Sequence, residues 1–268
     1  MKAVYFLSMI ILILAVLASM AGLLAGDLYR DNSFVAAMWK WNDLVTLGLA
    51  VPMLFLSMLL SRKESRRAQI VWMAMLNYML YNYAFYLFAT AFNKLFLLYA
   101  FLVALSIFAL IFGLVNLEAR EIGESFRSGR FYRGISGYMM LIALGLSTVY
   151  IIQSLDFVFT GELPEIVVKT EHPSNVIFGL DFTLLIPVFL LGGIWLWKGK
   201  AWGYVLASIS MVKGATYTLV LAVVSIFTSS SDTQDASSEW PFWTLLTLGS
   251  ILSAFYLLNK LPDRQNRS

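Results

Sequence analysis

Apolar residues occur along this chain in eight long blocks, separated by shorter stretches rich in charged and polar residues. The blocks cover residues 5–25, 44–61, 70–91, 95–116, 134–155, 176–197, 203–227 and 241–258. The hydrocarbon layer of a membrane is about 30 Å thick, and roughly 20 residues of α-helix are needed to cross it. The pattern therefore predicts an all-α, polytopic membrane helical bundle with eight transmembrane helices, in which residues 1–268 form a single transmembrane domain.

The composition is that of a membrane protein and limits the possible chemistry. The 268 residues are 60% hydrophobic and 13% charged, with a mean hydropathy of +0.76, whereas soluble domains carry about 25% charged residues. The chain has no cysteine and one histidine, His172, in a polar loop. Disulfides, thiol nucleophiles and thiolate metal sites are therefore excluded. No metal centre, other cofactor or catalytic residue is predicted.

Lys and Arg are distributed unequally between alternate loops. With the N-terminus inside, fourteen of the nineteen fall on the cytoplasmic side, four fall outside and Lys213 lies within a span. This is the positive-inside bias of multi-pass proteins. It predicts that both termini are cytoplasmic and that the chain lies in the plasma (inner) membrane. The net charge of +3 then reflects topology and contact with membrane lipids, and nucleic acid is not expected as a partner.

The first apolar block allows a second interpretation. Met1 and Lys2, the apolar run and the small residues at 18–21 also resemble a secretory signal. The run is as long as a full span, whereas the apolar part of a signal has about 7–15 residues. An uncleaved first helix is therefore favoured. Cleavage would leave seven helices with the same orientation.

Three predicted outer loops are long enough to have structure of their own, at 26–43, 156–175 and 229–240, and the third, rich in serine and aspartate, is predicted to be mobile. Residues 26–43 carry Phe34, Trp39 and Trp41 among charges, a composition typical of a segment at the level of the lipid headgroups. This interpretation assigns Asp43 to a loop. Residues 156–175 contain two prolines and a β-branched run at 166–168, which predicts a short extended segment over the outer face.

Two charged residues lie inside predicted spans, Asp181 in the sixth and Lys213 in the seventh. A charge near the bilayer centre costs about 2.5–3.5 kcal/mol even on lenient scales, so such residues are usually paired and often functional. At 1.5 Å per residue, Asp181 lies about 8 Å below the outer boundary and Lys213 about 15 Å above the inner one. The short connection at 198–202 makes their helices neighbours, which predicts an Asp181–Lys213 pair. A structural clamp between the helices is the alternative.

Polar residues are also concentrated in the third span. Tyr78, Asn82 and Tyr86 recur every four residues and share one helix face. Because an asparagine amide in lipid needs a hydrogen-bond partner, this face should contact protein or water. Gln153 in the fifth span and Tyr217, one turn after Lys213, belong to the same outer half. The alternative is that the face only joins helices, through hydrogen bonds that average about 0.6 kcal/mol in a comparable bundle.

Together these polar groups predict one ligand-binding pocket in the outer half of the bundle. Its predicted members are Asp181, Lys213, Tyr217, Asn82, Tyr78, Tyr86 and Gln153.

Roughly a third of the chain resembles known membrane proteins. The segments concerned are 81–111 and 162–219, and the residues that carry the resemblance are Pro173, Asn175, Leu180-Asp181, Pro187, Trp202-Gly203-Tyr204 and Lys213-Gly214. They resemble segments of uncharacterised bacterial multi-spanning integral membrane proteins. The resemblance implies a multi-pass membrane fold and no particular activity.

Three hypotheses for the function follow. The first is an integral membrane protein that binds or transports a small polar or ionic ligand in the pocket around Asp181 and Lys213. The second is a non-catalytic structural or partner-binding subunit of an assembly with other membrane proteins. The third is a membrane enzyme acting on a lipid, which ranks last because the sequence offers no nucleophile, metal site or paired carboxylates.

Overall fold

The computed structural model describes residues 1–124, 126, 130–229 and 239–261. No strand occurs among these residues. Most of the predicted loop at 229–240 lies outside them. The α-helices are α1 (Lys2–Leu24), α2 (Ser33–Val45), α3 (Val51–Ser61), α4 (Arg66–Ala89), α5 (Phe96–Val115), α6 (Ala119–Glu124), α7 (Arg130–Thr160), α8 (Glu165–Thr170), α9 (Val176–Leu180), α10 (Ile186–Trp197), α11 (Ala201–Ser229) and α12 (Trp240–Asn259). Two π-helical turns, Thr46–Ala50 and Asp181–Leu185, join α2 to α3 and α9 to α10.

Seven helices of the described residues are long and apolar enough to cross a membrane. They cover Lys2–Leu24, Ser33–Ser61, Phe96–Val115, Phe131–Thr160, Val176–Trp197, Ala201–Phe227 and Trp240–Asn259. These are the helices of a multi-pass membrane protein, as the apolar blocks predict. The remaining predicted span coincides with α4, which has 24 residues but carries two asparagines and four tyrosines. These polar residues make α4 less hydrophobic than the seven helices named above.

Within the described ranges the chain forms two compact units. Unit 1 consists of Met1–Glu118 and Ser208–Ser268, and unit 2 consists of Ala119–Ala207. The first residues of α11 belong to unit 2 and the rest of that helix to unit 1. The single transmembrane domain stays a prediction from the sequence.

The second span begins earlier than the sequence predicts. The apolar pattern places its start at residue 44, but the structure has a helix from Ser33 onward. The Asn32 side chain caps this helix, because its Oδ1 accepts the backbone N–H of Val35 at 3.0 Å. The prediction of a loop at 26–43 is therefore wrong for residues 33–43. The polar residues between Lys40 and Asp43 interrupt the apolar pattern without interrupting the helix.

The predicted extended segment within 156–175 is also wrong. α7 continues to Thr160, and the β-branched run at 166–168 lies in the short helix α8. Pro164 immediately precedes α8, a position in which its fixed φ angle suits the start of a helix. Local helix initiation therefore outweighs the β preference of three residues.

Both π turns precede a proline. In each turn a backbone N–H skips one residue: Val51 donates to the carbonyl of Thr46, and Ile186 donates to that of Asp181. Pro52 and Pro187 come next in the chain. A proline has no N–H to donate and its ring clashes with the preceding turn. The widened turn accommodates the proline without ending the helix.

In unit 1, other helices enclose α4. It packs against α3 and α5, while α1 packs against α2 and α5. Seventeen of the 24 residues of α4 are buried. Its polar groups bond to α1 at two levels: Trp72 Nε1 donates to Ser8 Oγ at 2.9 Å, and the Tyr83 hydroxyl donates to the Ala15 carbonyl at 3.3 Å. The polar residues of α4 thus face protein.

In unit 2, α7 packs against α10. Small residues permit the contact, since Gly193 approaches α7 closely enough to accept a hydrogen bond from Ser136 Oγ at 2.5 Å. Phe126 stacks on Tyr204 with ring centroids 4.4 Å apart. The loop between α10 and α11 is equally tight, because the N–H of Gly203 donates to the Lys200 carbonyl at 2.8 Å.

Gly203 provides a test of this turn. A Cβ atom at this position would overlap the backbone of Trp195 and Leu196. Because backbone atoms cannot move aside as a side chain can, we expect Gly203→Ala to lower the free energy of unfolding by about 1–3 kcal/mol. Thermal unfolding of the purified protein in detergent measures the change. The matched control is Gly137→Ala on α7, where a Cβ meets no atom within 4 Å. Equal unfolding midpoints for the two variants would contradict the prediction.

Candidate functional site

A buried carboxyl group lies at the centre of the polar contacts in unit 1. Asp43, on α2, is 2% exposed. The Tyr29 hydroxyl donates to its Oδ2, and the Tyr86 hydroxyl donates to its Oδ1 at 3.0 Å. The Tyr86 hydroxyl is also 3.1 Å from the backbone carbonyl oxygen of Trp39. We call Asp43, Tyr29, Tyr86 and Trp39 the Asp43 cluster.

Tyr29 remains a phenol in this cluster. It lies in the segment between α1 and α2, outside the membrane-spanning helices. Burial, reinforced by the neighbouring Asp43 carboxylate, raises the pKa of Tyr29 well above its usual value. Because the folded pKa exceeds the ordinary value of about 10, the stabilisation by this phenol is complete below that pH and is lost as the pH rises further. At neutral pH the hydroxyl is therefore a hydrogen-bond donor.

The carboxyl group of Asp43 has no cation beside it. Among the described residues, no Lys, Arg or His side chain forms an ion pair with Asp43. Neutral hydroxyl donors of the described residues would have to compensate a negative charge there. A charged carboxylate removed from water is costly without such compensation.

Three polar contacts connect α2 to α4 at successive turns. The hydroxyls of Thr46 and Tyr78 are 3.0 Å apart, and Asn42 Nδ2 donates to Asn82 Oδ1 at 3.0 Å. Tyr86 makes the third contact, with Asp43 and Trp39. The sequence positions fall on α2 while they rise on α4, so the two helices run antiparallel. The predicted face of Tyr78, Asn82 and Tyr86 is therefore brought together against one helix.

Asn82 is only partly satisfied by these contacts. Its side chain is fully buried. Its Oδ1 accepts from Asn42, whereas its Nδ2 has no hydrogen-bond acceptor among the described residues. A buried amide donor without an acceptor costs about 1–3 kcal/mol. Such a group is also the kind that a bound water or ligand oxygen satisfies.

Lys213 lies against two aromatic rings in unit 1. The residue is on α11 and is 3% exposed. Its Nζ is 3.8 Å from the centroid of the Tyr81 ring and 4.9 Å from that of Tyr217. The two rings contact each other edge to face, with centroids 4.8 Å apart. An ammonium group desolvated against aromatic rings gains about 2 kcal/mol from each favourable cation–π contact.

Asp181 lies in unit 2, where it accepts a hydrogen bond from a tyrosine. It is 5% exposed and is the first residue of the second π turn. The Tyr150 hydroxyl of α7 donates to its Oδ2 at 2.7 Å, and the Tyr150 ring stacks on Phe178 with centroids 4.0 Å apart. Gln153 is half-buried on α7, three residues after Tyr150.

The structure gives side-chain contacts for six of the seven predicted pocket residues. Tyr78, Asn82 and Tyr86 lie against α2, Tyr217 lies with Lys213, and Asp181 lies with Tyr150. Asp181 and Lys213 belong to different units. Their pairing, and a single pocket that contains all seven residues, stay predictions from the sequence.

The sequence interpretation missed the α2 side of this arrangement. Asn42, Asp43 and Thr46 supply the partners of the α4 face. A signal was present, since Trp39, Asn42 or Asp43, and Thr46 recur at helical spacing across the start of the apolar block at residue 44. A span defined only by apolar residues cannot include such a polar first half.

A substitution at Gly22 tests the packing of the Asp43 cluster. A Cβ atom on Gly22 of α1 would overlap Asp43 Oδ2 and the Tyr29 hydroxyl. We expect Gly22→Ala to displace the carboxyl group and lower the free energy of unfolding by about 1–3 kcal/mol, measured by thermal unfolding in detergent. Gly48→Ala is the control, because a Cβ there meets no atom within 4 Å. A Gly22→Ala variant as stable as this control would show that the cluster adapts freely.

The chain was also compared with known proteins. No protein-family model, no curated protein and no solved structure matches it. Its function is therefore inferred from its own side chains and their contacts.

Proposed function

We propose that this chain is an eight-span membrane protein that binds or transports a small polar or ionic ligand through the buried polar groups of α4. In this proposal α4 also crosses the membrane, which brings the number of spans to eight and makes α4 the third along the chain. Both termini lie on the cytoplasmic side of a bacterial inner membrane. The distribution of Lys and Arg between the loops supports this orientation.

The length and environment of α4 support its role as a span. Its 24 residues extend about 36 Å at 1.5 Å per residue, enough to cross a hydrocarbon layer of about 30 Å. A polar helix is tolerated in a membrane where other helices cover its polar groups. The bonds from α4 to α1 and α2 provide such cover.

The unsatisfied amide of Asn82 is the single observation that carries the proposal of ligand binding. Its Nδ2 is fully buried and has no acceptor among the described residues. The preceding residue, Tyr81, contacts the Lys213 ammonium group. An amide donor suits a ligand that presents oxygen acceptors, such as a carboxylate or a carbonyl compound.

The adjacent π turn adds support to this location. Thr46, which contacts Tyr78, is the first residue of the turn. π turns within helices occur frequently at functional sites. Interrupted helices also form substrate sites in many transporters. The polar contacts of α2 therefore border a segment of the kind that binding sites use.

A second candidate function is a structural or partner-binding subunit. It is favoured by the Asp43 cluster, in which both carboxylate oxygens already have donors from the same unit. In such a protein the contacts between α2 and α4 only fix the relative position of the helices. The two candidates differ at Asn82. Water does not reach this side chain in a structural subunit, whereas it must reach it in a ligand-binding protein.

The topology can be tested directly because the chain contains no cysteine. Lys63→Cys, Lys94→Cys, Lys169→Cys and Lys200→Cys each introduce one thiol at an exposed position. When intact cells are treated with a membrane-impermeant thiol reagent, we expect labelling at residues 94 and 169 only. All four should react after the membrane is permeabilised. Labelling at residue 63 or 200 in intact cells would contradict the eight-span orientation.

Access of water to Asn82 tests ligand binding. We expect Asn82→Cys to react with a small hydrophilic thiol reagent in the folded protein in lipid, because a ligand pocket must admit polar molecules. Ala74→Cys, at a fully buried position on the same helix, is the control and should remain unlabelled until denaturation. Size-exclusion chromatography verifies that both variants are folded. An Asn82→Cys thiol as unreactive as the control would favour the structural subunit.

A further inference from the structure

We propose that Asp43 reversibly binds a proton and that Tyr86 exchanges its hydrogen-bond acceptor when it does so. This proposal goes beyond ligand binding, and it depends only on contacts within unit 1.

The position of the Tyr86 hydroxyl is the basis of the exchange. A phenol has one proton to donate. Here two acceptors lie at nearly equal distance, Asp43 Oδ1 at 3.0 Å and the Trp39 carbonyl oxygen at 3.1 Å. The proton can point at only one of them with good geometry. Which acceptor it takes is decided by the charge on Asp43, because a carboxylate is a stronger acceptor than a neutral carbonyl.

Burial of the Asp43 carboxyl group favours its neutral form, whereas the hydrogen bonds from the phenols favour its charged form. The side chain is 2% exposed and forms no ion pair among the described residues. The ionisable groups that face it are all phenols, from the segment after α1, from α4 and from α5: Tyr29, Tyr78, Tyr83, Tyr86 and Tyr99. The Ser19 hydroxyl faces it from α1. No positive charge is available in this set to hold the carboxylate ionised.

The two states differ by one proton and one rotation. In the ionised state, Tyr29 donates to Oδ2 and Tyr86 donates to Oδ1. A hydronium ion then transfers a proton to Oδ1, leaving water, and Asp43 becomes neutral. The new Asp43 O–H donates to the Tyr86 oxygen, while the Tyr86 O–H rotates about its C–O bond to donate to the Trp39 carbonyl. No covalent bond of Tyr86 breaks, and the reverse steps release the proton.

The exchange changes how α2 is held to α4. In the ionised state Tyr86 donates to the Asp43 side chain, whereas in the neutral state it accepts from that side chain and donates to the backbone of α2 at Trp39. Trp39 and Asp43 are one helical turn apart, so the Trp39 carbonyl is the regular acceptor for the Asp43 N–H. Protonation therefore adds a second donor to a carbonyl in the turn that holds Asp43.

Infrared spectroscopy of the full chain in lipid vesicles tests the proposal directly. The protein is labelled with ¹³C at aspartate side chains, and spectra are recorded across a pH titration. We expect the C=O band of a protonated carboxylic acid to convert into carboxylate bands as the pH rises. Asp43→Asn should lose this band. Asp181→Asn, which changes the buried carboxyl of unit 2, should retain it.

Substitution of Tyr86 tests the exchange and does not depend on the fold of Asp43→Asn. Tyr86→Phe removes one hydrogen-bond partner of Oδ1, so the C=O band should shift to higher frequency and its titration midpoint should move. Tyr5→Phe is the matched control, because that hydroxyl lies 2.6 Å from Ser61 Oγ and is not among the groups that face Asp43. It should leave band and midpoint unchanged.

Three results would overturn the proposal. They are the absence of any titrating aspartic acid band, a band lost in Asp181→Asn but kept in Asp43→Asn, and equal spectra for Tyr86→Phe and Tyr5→Phe. None of these readouts involves thiol reactivity at residue 82. Failure of the proton site and failure of the ligand site are therefore distinguishable.

Discussion

The constraint that organises unit 1 is that a polar group within a membrane must find its partner inside the protein. α4 carries more polar side chains than a lipid-facing helix tolerates, and its neighbours satisfy most of them. α1 provides Ser8 and the Ala15 carbonyl, and the first half of the second span provides Asn42, Asp43 and Thr46. The polar residues that precede the apolar part of the second span are therefore the hydrogen-bond partners of the polar residues of α4.

This complementarity explains what could be predicted from the sequence and what could not. The face of Tyr78, Asn82 and Tyr86 follows from a four-residue spacing, and Tyr217 lies beside Lys213 for the same reason. Both are properties of a single helix. The partner of a polar face depends instead on which helix packs against it, and hydropathy gave no helix at residues 33–43. Asp43 was consequently assigned to a loop although it is among the most buried charged residues described.

Buried polar groups in this chain are held in small sets, each with its own aromatic partners. Asp43 and Asp181 both accept hydrogen bonds from tyrosine hydroxyls, and Lys213 lies against tyrosine rings. A tyrosine covers apolar area with its ring and offers one polar atom at the end. It therefore suits a membrane protein, in which a charge must be stabilised without admitting bulk water.

The π turn between α2 and α3 has a mechanical consequence. Proline removes one backbone hydrogen bond at this point, so the helix from Ser33 to Ser61 has its weakest joint directly after Thr46. The part before the joint carries Asn42 and Asp43, and the part after it is apolar. Bending there would shift Asn42 and Asp43 together relative to α4, while α3 kept its packing against that helix.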